Sequence, residues 1–367
     1  MLELTCGERI MRCFLGEDID HVPFGIGLGY IPWGGAMDRW RTESGNPDLD
    51  IVKELGFERS FVIPQTNSGL LPLFEPQVIS NEGEYTVYRD GREIMQRVRE
   101  GCETMPQYLD YPVKSPEDWE QVKSERLVIG DETRILQDWD AFRSTIKQTG
   151  EAVQVGNYPF GVFGAVRDLM GVEEMLVSFY TQPELIRDMM QHLTSLWIWI
   201  WECISKEVRI DHIHIWEDMS GRQGSLISPA MVEEFMMPCY DRIVEFGRRM
   251  GVRIISVDTD GDCSELLPVM MKHGINMMLP FEVQAGNNIL EYREHYPELG
   301  IYGGLDKRAL ARDKAAIDSV VELAAEMIRK GRYIPAFDHL IPPDVPWENF
   351  KYACERIKVV CLGTPIS

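Results

Sequence analysis

None of the eight cysteines, at positions 6, 13, 102, 203, 239, 263, 354 and 361, forms a Cys-x-x-Cys pair. The chain also opens on the polar run Met-Leu-Glu-Leu-Thr-Cys-Gly-Glu, without a secretory leader. Reduced thiols in a cytoplasmic protein are the simplest reading of both features. Basic residues are scarce, 37 against 59 acidic ones, and the net charge is −22. A surface of that sign disfavours nucleic acid and anionic membrane as partners. Long apolar runs are missing as well. The most apolar stretch, Leu196-Trp-Ile-Trp-Ile-Trp201, ends at Glu202 and is far too short to cross a bilayer. A dinucleotide fingerprint fails at its third glycine: Gly25, Gly27 and Gly29 are present, but Tyr30 stands where Gly-x-Gly-x-x-Gly needs the last one. No internal repeat or low-complexity linker divides residues 1–367, so one domain is expected.

What is present is enough for a large core: 44% hydrophobic residues and 10% aromatics. The run Arg253-Ile-Ile-Ser-Val-Asp-Thr-Asp-Gly-Asp-Cys263 has the form of a buried parallel strand whose carboxyl end carries acids. The pattern recurs. Ile213–Trp216 leads into Glu217 and Asp218, Met277–Phe281 into Glu282, Ile301–Gly304 into Asp306 and Lys307, and Tyr333–Phe337 into Asp338 and His339. Further strands are expected at Val22–Ile26 and at 152–157, and a β-hairpin at 83–99 with Asp90-Gly91 as its turn. Helices are expected at 4–16, 164–180, 183–206, 228–250, 264–273, 314–330 and 346–358. Ser228-Pro229 supplies a cap followed by proline at the first helical position. The Trp-Ile-Trp-Ile-Trp run is assigned to the long helix around it. Tryptophans on several faces require most of that helix to be covered, and a homodimer contact is one way to cover it. Alternating strand and helix predict an α/β protein, a (β/α)8 TIM-type barrel with N-terminal additions that include the hairpin.

The barrel reading places the acidic strand ends on one rim. Asp258 and Asp260, at i,i+2 on a strand, are expected to share a face, where two carboxylates repel unless a cation or proton compensates. Glu282 and His339 from later strand ends complete a set, Asp258, Asp260, Glu282 and His339, suited to zinc or another divalent metal. Asp262 and Asp306 fit helix caps as well as they fit chemistry. Cys263 reads as a first-turn core cysteine. His212 and His214 read as structural residues of a strand interior.

Four segments stand out from about Ile213 onward: Ser228-Pro-Ala-Met-Val-Glu-Glu-Phe-Met-Met-Pro238, Asp258-Thr-Asp-Gly261, His339-Leu-Ile-Pro-Pro343 and Val345-Pro-Trp-Glu-Asn349. Through them the sequence resembles the uroporphyrinogen decarboxylase superfamily, a β/α-barrel group that also holds corrinoid- and thiol-linked methyltransferases. The second and third fall where the coenzyme M methyltransferases of that group carry thiolate and histidine zinc ligands. Two departures accompany the resemblance. The decarboxylase itself has an arginine-rich segment near its first strand, where this chain reads Gly27-Leu-Gly-Tyr-Ile-Pro-Trp-Gly-Gly35. The thiolates are replaced by Asp258, Asp260 and His339, so either the metal differs or its target atom is harder, such as an ether or alcohol oxygen.

The resemblance then implies a cobalamin-dependent methyltransferase of the O-demethylase kind. A small methoxylated, aromatic substrate would give its methyl group to a corrinoid on a partner protein. Asp260, His339 and Asp218 would be catalytic, and the metal would polarise the leaving oxygen. Tyr30, Trp33, Trp40, Asn157, Phe160 and Trp216, with Tyr158, would line the substrate pocket. The competing expectation is a decarboxylase acting on a different acid, with Asp218 or Asp258 stabilising a protonated intermediate. A corrinoid carrier is disfavoured, because no Asp-x-His-x-x-Gly motif occurs.

Overall fold

The computed structural model describes residues 3–99 and 105–363. Seven strands, β1 (Phe61–Val62), β6 (Ala152–Gly156), β7 (His212–Trp216), β10 (Ile254–Asp258), β11 (Met277–Leu279), β12 (Gly300–Tyr302) and β13 (Tyr333–Ile334), form one curled, all-parallel sheet in that order. β8 (Ser220–Gly221) and β9 (Gly224–Ser225) pair with each other as a separate short ribbon. The central strands β6 and β10 are buried at every residue, and so are β11, β12 and β13. Strands covered on both faces are expected where crossover helices return over a parallel sheet.

The helices lie close to the expected ranges. Cys6–Leu15 starts at a capping box in which Thr5 Oγ1 accepts from Glu8 N and the Glu8 carboxylate accepts from Thr5 N. Pro183–Ser205 and Lys314–Lys330 match expectation nearly residue for residue. The helix expected over 164–180 is two helices, Gly164–Met170 and Val172–Thr181, broken at Gly171. The one expected over 228–250 is interrupted by a π-helical turn at Val232–Met236, just before Pro238. A proline lacks the N–H that an unbroken ladder needs there. In the tryptophan-rich helix, Trp197 and Trp201 are buried in the chain's own core, packed on Phe160.

Two features differ from expectation. The hairpin is part of a four-stranded antiparallel sheet of β2 (Gln77–Glu82), β3 (Tyr85–Arg89), β4 (Met95–Arg99) and β5 (Gln107–Asp110). The predicted strand Val22–Ile26 is not one, so a closed ladder of eight strands is not formed among the described residues. Gly25 and Gly27 both have φ of 70°, a left-handed conformation that turns the backbone out of a strand. This segment nevertheless lies along the open side of the curl. Glu58 N donates to Phe24 O, and Pro32 bridges Ile341 in parallel.

Candidate active site at the strand ends

The carboxyl ends of β6, β7 and β11 each lead into a non-glycine residue with positive φ: Asn157 at 87°, Asp218 at 46° and Phe281 at 60°. Left-handed backbone at such residues costs about 1–3 kcal/mol each and persists where packing over-determines it. Three such residues at one end of one sheet mark that end as the functional face.

The packing that holds the turn after β6 is visible. The backbone N–H groups of Val162, Phe163 and Gly164 donate to the Glu217 carboxylate at 2.9, 2.7 and 3.0 Å, and Tyr240 Oη donates to it at 2.6 Å. Gly161 lies so close to β7 that a Cβ there would sit 1.9 Å from Trp216 O, which only glycine permits. Glu217 therefore anchors the start of helix Gly164–Met170 onto the end of β7. Burial raises its pKa against the lowering effect of these four donors. Arg167 of that helix reaches the next residue, with Nη1 2.9 Å from Asp218 Oδ2. Burial, opposed by Arg167 and reinforced by Asp260, leaves the Asp218 pKa raised.

Inside the curl lies a cavity of about 280 Å³. Its polar lining is Asp258, His212, His214, Gln154, Asn157, Ser60 and Tyr302, and its apolar lining includes Ile26, Leu28, Phe61, Met277 and Leu279. Ile31 and Ile63 also line it, yet are 49% and 42% exposed, so they mark its mouth. Asp258, the last residue of β10, is buried, with Oδ2 3.8 Å from His214 Nε2 on β7. Burial, with the nearby Asp260 and Asp218 charges, raises the Asp258 pKa well above the ordinary carboxyl range. That direction favours the protonated form of this carboxyl group. Burial also pushes His214 down to about 4, so its ring is neutral.

Asp258 and Asp260 lie close enough for the Asp260 charge to raise the Asp258 pKa, but they take different partners. The strand ends at Asp258, so the alternation that would align the two stops there. Asp260 pairs with His339, Oδ2 to Nε2 at 3.3 Å, and that hydrogen bond raises the His339 pKa. Glu282 Oε2 accepts from Gly261 N at 3.0 Å, and its Oε1 is 3.6 Å from Lys307 Nζ. The expected metal quartet is thus divided among three separate partnerships. Among the described residues no group of three His, Cys, Asp or Glu side chains is placed to hold a metal ion. These residues do not fit the metal centre that the resemblance implies.

The expected substrate residues scatter. Asn157 lines the cavity. Trp216 ends β7, with Tyr158 edge-on at 5.0 Å and the Arg167 guanidinium 5.1 Å from its ring. Trp33 is exposed near Ile31. Tyr30, Trp40 and Phe160 are core residues. Tyr30 donates to Pro335 O at 2.9 Å, Trp40 Nε1 donates to Val345 O at 2.9 Å with its ring stacked on Phe350, and Phe160 packs on Trp197 and Trp201. Tyr158 lines a separate cavity of about 360 Å³ with Arg92 and Asp168. His212, His214, Ser256 and Arg167 were not expected at the site. Period-two spacing on strands was the available signal for the first three.

A parallel β/α fold with polar residues converging at the carboxyl ends of its strands is the class of architecture that carries active sites on that face. The sequence profile of the uroporphyrinogen decarboxylase (URO-D) family matches residues 97–360, and the chain belongs to that family. Among solved structures, a methyltransferase from Methanosarcina mazei is similar over 97% of this chain and 99% of its own, with 16% identity and a TM-score of 0.60. At that identity the likeness concerns the fold. No curated protein sequence matches the chain. No described helix is long and apolar enough to cross a membrane.

Proposed function

We propose that this protein is a corrinoid-dependent methyltransferase of the O-demethylase type, taking a methyl group from a small aromatic ether. The observation that carries this is Asp258, a buried carboxyl group that lines a ring-sized, largely apolar cavity with His214 3.8 Å away, where burial raises its pKa. An aryl methyl ether is stable because its leaving oxygen is poor, and a positioned proton donor improves it. The apolar walls hold the ring, and Ile31, Ile63 and Trp33 offer an apolar mouth to a carrier protein. A corrin ring is far larger than 280 Å³, so it would stay on its carrier at that mouth. A reduced corrinoid supplies the nucleophile that accepts the methyl carbon. As the carbon–oxygen bond breaks, the Asp258 proton passes to the oxygen and a neutral phenol leaves. Asp258 remains as a carboxylate beside His214 until it regains a proton from solvent. No step here is routed through a metal. In the same reading, segment 22–33 takes the place of the first strand of an eight-membered barrel.

The family name also supports a decarboxylase reading, but the cavity opposes the family's named substrate. Uroporphyrinogen has four pyrrole rings and eight carboxylates. The cavity is too small for it, and no lysine or arginine is among the lining residues.

The test mixes the protein with reduced corrinoid, free or on a carrier protein, and a panel of methoxyarenes. Spectral formation of methylcobalamin with release of the matching phenol is expected, and Asp258→Asn should lower kcat at least ~100-fold. Absence of methylation across aryl ethers, alkyl ethers and methylamines would refute the assignment, as would stepwise decarboxylation of uroporphyrinogen.

A further inference from the structure

The cavity wall holds one buried polar side chain that neither the fold nor the methyl-transfer step uses. Gln154, on β6, is 7% exposed and lines the cavity. Strand register sets the direction of its side chain. Gln154 pairs with His212 and Gly156 with His214, so these alternate positions share one face of the sheet, and both histidines line the same cavity. Apart from Asp258, the other buried polar groups of that wall are engaged. Ser256 Oγ on β10 lies 2.7 Å from His212 Nε2 and 2.7 Å from His214 Nδ1, and Tyr302 Oη donates to Ile26 O. Asn157 and Ser60 are less buried. Among the described residues no group hydrogen-bonds the Gln154 amide, yet the amide is not sealed off: unlike the enclosed His212 Nδ1, its nitrogen and oxygen keep accessible surface. In a residue so buried, that surface opens into the cavity it lines. A buried amide without partners is uncommon and points to a ligand group.

The depth of Gln154 sets where that group sits. Through His212, Gln154 is level with Ile254, the first residue of β10, whereas Asp258 is the last. Four residues at ~3.3 Å each place Asp258 about 13 Å further along the sheet, an interval that a ring hydrogen-bonded at both ends can bridge. An aryl ether with its oxygen at Asp258 and its methyl carbon toward the mouth therefore directs the opposite edge of its ring at Gln154. A carboxamide offers donors and an acceptor and carries no charge. A hydroxyl answers either end of it, because it both donates and accepts. An alkyl group answers neither and leaves the amide buried and unmet. A carboxylate is a poor occupant, since the lining contains no lysine or arginine.

We propose that Gln154 is the specificity-determining residue of this cavity and binds an uncharged hydroxyl on the ring position opposite the methoxy group. This rests on the reading of the cavity as the substrate site and narrows the substrate to a neutral 4-hydroxyaryl ether. Gln154 and Asp258 then hold the two ends of one ring.

The experiment uses the full chain with no corrinoid. Side-chain amides are labelled with 15N and followed by NMR, the Gln154 signals being those missing from the Gln154→Met variant. 4-Methoxyphenol, 2-methoxyphenol, 4-methylanisole and 4-methoxybenzoate are titrated in turn, with affinities read by calorimetry. 4-Methoxyphenol is expected to shift the Gln154 amide signals and to bind at least ten-fold more tightly than the other three. Gln154→Met, which keeps the side-chain length and removes the amide, should abolish that preference while leaving 4-methylanisole affinity within about two-fold. Its melting temperature confirms a folded protein, and the shifts in the parent need no variant to be folded. 4-Methoxyphenol and 4-methylanisole binding alike, 4-methoxybenzoate binding tightest, a preference that survives Gln154→Met, or no probe moving the Gln154 signals would each overturn the proposal. 4-Methoxyphenol bound at Gln154 in a protein that fails to methylate corrinoid would instead refute the functional reading and leave this one intact. Methyl transfer from all four probes at equal kcat/KM would do the reverse.

Discussion

Replacing Glu217 by glutamine should damage this protein more than any change among the exposed acids of the rim. Each carboxylate oxygen of Glu217 accepts two hydrogen bonds, Oε1 from Val162 N and Tyr240 Oη, Oε2 from Phe163 N and Gly164 N. An amide has one oxygen. Whichever way the new side chain turned, its NH2 would face two donors and two bonds would be lost. Hydrogen bonds to a charged group contribute ~1.5–3 kcal/mol each, so the gross loss is ~3–6 kcal/mol. Removing a buried charge recovers part of this, as the raised Glu217 pKa indicates, and a net loss of ~2–4 kcal/mol remains. Tyr240→Phe deletes one bond and should cost ~1–2 kcal/mol. Urea unfolding with fixed m-value gives both numbers. The damage should extend to the site, because the helix that Glu217 anchors carries Arg167, which holds Asp218. A Glu217→Gln protein within ~0.5 kcal/mol of the parent would refute the reasoning. So would a Tyr240→Phe protein that is the less stable of the two.

Asp258 and His339 make opposite predictions against pH. The raised Asp258 pKa means that the folded chain keeps a proton the unfolded chain gives up above pH ~4, so this group lowers stability as pH rises. Asp258→Asn should match the parent below pH 4 and gain on it above, by up to ~1.4 kcal/mol per pH unit until the folded pKa is reached; parallel pH–stability profiles would contradict this. His339 has a raised pKa through Asp260, so its contribution is complete below pH ~6.5 and fades as pH rises through the folded value. Both side chains are about one-third exposed, so His339→Ala should cost no more than ~1 kcal/mol at pH 6 and less at pH 9, as thermal melts at the two pH values would show.

The parallel sheet was legible because its strands are short β-branched runs bounded by acids and glycines, and because helices such as Lys314–Lys330 carry clear caps, Asp313 at the start and Gly331 after the end. What escaped was set by backbone conformation or by exposure. Gly25 and Gly27 at φ 70° remove Val22–Ile26 from the sheet, although its composition is that of a strand. β2 is almost wholly exposed, so Gln77–Glu82 has no buried face to produce alternation, and only the β3–β4 hairpin was visible.

The site was harder for a related reason. Acids at strand ends look alike in a sequence, yet the structure gives them at least three different tasks. Glu217 and Asp338 are inward and structural: Asp338 accepts from Val283 N at 2.9 Å and Lys307 N at 3.2 Å, joining two loops as Glu217 joins a helix to a strand. Asp260, Glu282 and Asp218 are tied to His339, Lys307 and Arg167 respectively. Asp258 alone among them lines the cavity without a cationic partner, and burial beside the Asp260 and Asp218 charges raises its pKa. Which task falls to which acid depends on where each strand stops, and a one-residue difference in that position decides whether a side chain enters the curl or leaves it. The two histidines read as structural, His212 and His214, occupy alternate positions of one short strand and so point the same way as long as that strand continues. The i,i+2 argument loses its basis for Asp258 and Asp260 where β10 ends, but it holds for His212 and His214 within β7, and the buried chain through Ser256 is its consequence.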